Sequence, residues 1–84
     1  MTNLIKKIHA LAGQAQMLIQ AGDKHSLEQA RVLLNQQAMC IRELADDQLK
    51  DPDMSVAEAA EVQLAILNAS EKLLKQSQNK YLDR

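Results

Sequence analysis

Apolar residues recur along this 84-residue chain at intervals of three and four, in three separate runs. Leu4, Ile8, Leu11, Ala15 and Leu18 form the first, with Ile5, Ala12 and Ile19 widening it. Such spacing puts them on one face of a helix, predicted over about 2–21. Leu27, Ala30, Leu34, Ala38, Ile41 and Ala45 predict a second helix over about 27–49. The third run, over about 56–82, carries two adjacent stripes. One is Ala59, Val62, Ile66, Ala69 and Leu73; the other is Ala60, Leu67, Leu74 and Tyr81. Two stripes on one helix imply contact with more than one neighbour.

Breaks in the pattern coincide with residues that stop helices. Gly22 suits the left-handed position after a helix end, and Ser26 with Gln29 has the spacing of a capping box that starts the next helix. Pro52 lacks an amide hydrogen and disfavours helical geometry at Asp51. Ser55 and Glu58 repeat the capping-box spacing beyond it. Short connections favour antiparallel neighbours, so the predicted fold is all-α, an up-down-up three-helix bundle in a single domain over 1–84. Helix 3 would span roughly 40 Å and helix 1 roughly 30 Å. This mismatch predicts that the end of helix 3, with Leu74, Tyr81 and Leu82, overhangs the bundle. It then either frays or is covered by a second copy or another protein.

Composition narrows the function. Hydrophobic residues are 46% of the chain, but there is no Phe or Trp and only one Tyr, so Leu, Ala, Ile and Met must fill the core. These favour helix over strand. Ten Lys and Arg against eleven Asp and Glu leave no surplus of cations for phosphates, which argues against a nucleic-acid partner. A lone cysteine, Cys40, cannot form an internal disulfide and suits a reducing compartment. No apolar run reads as an export signal or a membrane span, so the expected location is the cytoplasm, without membrane insertion.

Candidate chemistry is sparse. His9 and His25 are too far apart in sequence for a helical metal pair. His9-Ala10-Leu11-Ala12-Gly13 resembles the His-x-Leu-Lys-Gly core of histidine phosphotransfer domains, which would make His9 a phosphoryl acceptor. Ala12 stands at the position of that family's charge-balancing lysine; this reading is one alternative, and a self-associating structural helical protein of unknown family is the other. Asp46, Asp47, Asp51 and Asp53 crowd the second break without the glycine of a calcium loop and read as a solvated acidic turn. His25 is expected in the first turn. Cys40 has no identifiable base and reads as a structural thiol. No glycine-rich phosphate loop and no assignable acid–base pair are present. The chain is therefore expected to be no enzyme and to need no metal or cofactor.

The segment from Leu18 to Leu44 resembles FliT-type flagellar export chaperones. In that family an apolar helix is followed by a Gly-Asp turn and a helix with regularly spaced leucines. Here the corresponding residues are Ala21-Gly22-Asp23, Leu33-Leu34, Met39, Ile41 and Leu44. Ala69 to Arg84 is similar to the Leu- and Gln-rich final helices of the same group. The resemblance implies a cytoplasmic chaperone shielding a flagellar export substrate, such as the filament-cap protein. Gln37 falls where the family's arginine is usual.

The expectation is a module acting by helix-to-helix contact. Leu67, Leu74, Tyr81 and Leu82 are its candidate partner-binding residues, and a homodimer is expected through the overhanging end of helix 3.

Overall fold

The computed structural model describes residues 2–82, with the side chains of 3–81. Three helices account for nearly all of it: α1 (Thr2–Ala21), α2 (Lys24–Lys50) and α3 (Met54–Leu82). They form an up-down-up bundle with extents of 49 × 18 × 15 Å. No strand occurs among the described residues.

Both connections are shorter than the sequence pattern suggests, for the same reason. At the first, Gly22 adopts φ +74°, a left-handed conformation that strains any residue with a Cβ. Asp23 then caps α2: its carboxylate accepts the Ser26 amide at 3.0 Å and the Ser26 hydroxyl at 2.6 Å. Ser26 is thus the capped residue and not the cap, so α2 begins at Lys24 and His25 lies in its first turn. At the second connection the Asp53 carboxylate accepts the Ser55 amide and hydroxyl at 3.0 and 2.7 Å. Its backbone carbonyl takes the Ala57 amide, which starts α3 at Met54. The Gln48 side chain accepts the Asp53 amide at 2.9 Å and ties the end of α2 to this turn. A carboxylate is the better cap at both places because it also meets the positive end of the helix dipole.

The core divides into two clusters along the bundle. Ala15, Ile19, Leu27, Ala30, Leu34, Leu67 and Leu74 fill the end near Gly22. Ile8, Leu11, Cys40 and Leu44, flanked by Leu4, Ile5, Val56 and Ala60, fill the other. On α2 the buried stripe is Leu27, Ala30, Leu34, Gln37, Cys40 and Leu44. Beyond Leu34 it departs from the expected Ala38, Ile41 and Ala45. Ala38 and Ile41 are half-buried at its edge and Ala45 is exposed.

The far end of α3 lies against the first turn. The Tyr81 hydroxyl donates to the Gly22 carbonyl, and the ring lines a shallow pocket with Leu27, Glu28, Lys24 and Gln78. The expected overhang is therefore absent at Tyr81: α3 runs antiparallel to α2, whose 27 residues match its length closely. The Leu82 side chain lies outside the described residues.

Candidate functional site

Of the four candidate partner-binding residues, the three whose side chains are described, Leu67, Leu74 and Tyr81, do not form one surface. Leu67 and Leu74 are 4% and 6% exposed and belong to the intramolecular core. Tyr81 is 40% exposed and committed to Gly22. The expected exposure of Leu74 fails, and Leu67 too lies in the core, because topology selects the other of the two α3 stripes for display. The inward positions of α3 are Val56, Ala60, Gln63, Leu67, Ser70, Leu74 and Ser77, all buried or half-buried. One step around the helix, Ala59 and Ile66 are half-buried, while Val62, Ala69 and Leu73 are exposed.

The inversion matters physically. The inner face of α3 contains Gln63, Ser70 and Ser77, whereas the outer stripe is apolar at all five positions. Val62 and Leu73 remain 56% and 50% exposed. Single exposed apolar residues need no explanation, but a contiguous line of them does. The Ile66, Ala69 and Leu73 part of this line forms one wall of a groove whose other wall is α1. Ile66, Ala69, Ser70 and Leu73 face Gln16, Ile19 and Gln20 across it. The walls are parallel helices that touch less closely than either touches α2, so the groove follows from the up-down-up order.

The interior of the bundle also holds a polar layer. Gln37 of α2 is fully buried, and neither its Oε1 nor its Nε2 makes a hydrogen bond. Gln63 of α3 is also buried, and its Oε1 has no partner. Leu34 clusters with Leu67, and Cys40 and Leu44 with Ala60 and Val56. Gln37 and Gln63 therefore sit at matching levels, between the two apolar clusters. The alternation of apolar residues gives no sign of Gln37, because a polar residue is read as solvent-facing. The heptad spacing of Ala30 and Leu44 about Gln37 was the signal available for it.

The remaining candidates stand apart. His9 is exposed on α1 with Ala12 buried one turn on. A ring nitrogen of His25 lies 3.2 Å from the Gln29 amide nitrogen, within α2. Cys40 is a buried free thiol. Among the described residues no three His, Cys, Asp or Glu side chains gather as a metal site, and no helix is long and apolar enough to cross a membrane. The Asp23 and Asp53 carboxyls are held below the ordinary aspartate value, chiefly by the Ser26 and Ser55 hydroxyls and then by the amides of the same serines. Both belong to helix caps. Comparisons with protein-family models, curated proteins and solved structures find no match to this chain.

Proposed function

We propose that the chain is a helix-docking module that acts by burying the apolar stripe of a partner helix in the α1–α3 groove. The observation that carries this is the apolar line Ala59, Val62, Ile66, Ala69 and Leu73, exposed at Val62, Ala69 and Leu73, on a helix whose inner face is the more polar one. A helix seated there would give α1 and α3 a common neighbour on their open side, as α2 does on the other. The bundle would become four-membered. Anchors at i, i+3, i+4 and i+7 are those a groove of this kind reads. The mechanism requires no titrating group. In its more specific form, the partner is a segment of a flagellar export substrate and the chain its chaperone. The Gly22-Asp23 turn between two long helices supports that form, being the element on which the sequence resemblance rests.

A photo-cross-linking amino acid at Leu73 tests the groove, with the same group at Leu49 as the control. Leu49 is 84% exposed but lies at the opposite end, near the second turn. In native extract an adduct is expected from position 73 and not from 49. Equal labelling at both, or none at 73, would refute the docking role of the groove.

A further inference from the structure

We infer that the helix fitting this groove is α3 of a second copy, running antiparallel; this rests on the docking reading above and names its partner. Charge along α3 supplies the argument. Its first half, 54–68, carries Glu58 and Glu61 and no cation. Its second half, 69–82, carries Lys72, Lys75 and Lys80 against Glu71. Two such helices side by side in the same direction set like charge on like charge. Reversed, each acidic half meets a basic half.

One register satisfies both the apolar stripe and the charges. Antiparallel seams pair the two alternating positions of one helix with the opposite positions of the other. Ile66 then meets Val62 of the second copy, Ala69 meets Ala59, and Leu73 meets Ser55. The two-fold axis repeats each layer. Small Ser55 and Ala59 arrive where Gln16, Ile19 and Gln20 of α1 line the groove, which leaves room for the backbones to approach. In this register the positions flanking the seam bring Glu58 against Lys72 of the second copy, twice by symmetry. Sliding one heptad either way sets Glu58 against Asn79 or Ala65 and loses both pairs. Glu58 and Lys72 are exposed and make no ion pair among the described residues. The only ion pair among the described residues joins Glu28 and Arg31. Gln63, with its buried and unpartnered Oε1, falls beside the two-fold axis next to its own copy.

Sedimentation equilibrium on the full chain, under reducing conditions because of Cys40, tests the register through a charge swap. The wild type is expected to dimerise. E58K or K72E alone is expected to weaken the dimer about tenfold, since two symmetric rim pairs turn from attraction to repulsion. The double variant E58K/K72E restores the pairs with reversed sign and is expected to return to wild-type affinity. Both residues are exposed, so circular dichroism should show each variant folded. A wild type that stays monomeric, single variants that dimerise unchanged, or a double variant that is not rescued would each overturn the second-copy assignment. A monomer that still cross-links another protein from Leu73 overturns this assignment while leaving the docking reading standing.

Discussion

The two faces of α3 differ in composition and in fate. The inner one buries Gln63 and Ser70 among Leu67 and Leu74, while the outer one leaves Val62 and Leu73 in water. Hydropathy alone would turn the helix the other way. What fixes the orientation is the set of positions spaced in step with α2: Leu67 meets the Leu34 cluster, and Ala60 and Val56 meet Leu44. Turning α3 to bury its outer stripe would pull Leu67, Leu74 and the Tyr81 hydroxyl away from their neighbours. The cost of the chosen orientation is the polar layer at Gln37 and Gln63 and an apolar line without cover. A bundle selected only for stability as a monomer has no use for either. A bundle that must keep an apolar seam available gains from both, because the polar layer makes the inner face specific and the outer one is left free.

The sharpest way to break the comparison is to truncate one leucine on each face. Leu67→Ala opens a cavity in the core and is expected to cost about 2–5 kcal/mol of unfolding free energy. Leu73→Ala removes half-exposed surface and is expected to change the unfolding of the dilute chain by less than about 0.5 kcal/mol. Urea denaturation at low protein concentration measures both. Equal losses would mean that the outer stripe is also structural, and the groove would no longer be a free surface.

A second test concerns the polar layer. Gln37 has no hydrogen-bonding partner for either amide atom and no access to solvent. An unsatisfied buried polar group costs about 1–3 kcal/mol, so Gln37→Leu, of similar length, is expected to stabilise the chain by an amount of that order. Thermal melts followed by circular dichroism would show it. A loss of stability instead would mean that the amide is satisfied in solution, by Gln63 or by water, and that the layer is a working contact.

How much of this was readable in the sequence follows the same division. The three helices, the left-handed Gly22 and the break at Pro52 are local features, set by spacing and by backbone chemistry, and each is found where the pattern puts it. The starts of α2 and α3 were misplaced by two or three residues because serine and aspartate compete for the cap. Asp23 and Asp53 take it by accepting both the amide and the hydroxyl of the serine that follows. The choice between the α3 stripes could not be read locally, since both have helical spacing and only the register against α2 decides. The same holds for Gln37, whose burial depends on the level at which α3 crosses it. As for the site, the two stripes on α3 were visible from the sequence, but which one faces outward was not.

The smallest expected effect belongs to the two turns on which α3's register depends. Asp23 and Asp53 have pKa values lowered from 3.8, first by the Ser26 and Ser55 hydroxyls and then by the amides of those serines. A carboxyl more acidic in the folded chain than in the unfolded one stabilises the fold in its charged form. That contribution is complete above the ordinary aspartate value and is lost as pH falls through the lowered one. Both groups are fully exposed, so solvent screening keeps the effect small. Asparagine caps a helix nearly as well as aspartate but does not titrate. The variant D23N/D53N is therefore expected to melt with a flatter acid limb than the wild type between about pH 5 and pH 2. The other carboxylates are common to both chains and cancel in the difference. Parallel melting curves over that range would show that the caps act through hydrogen-bond geometry alone, without a contribution from the charge.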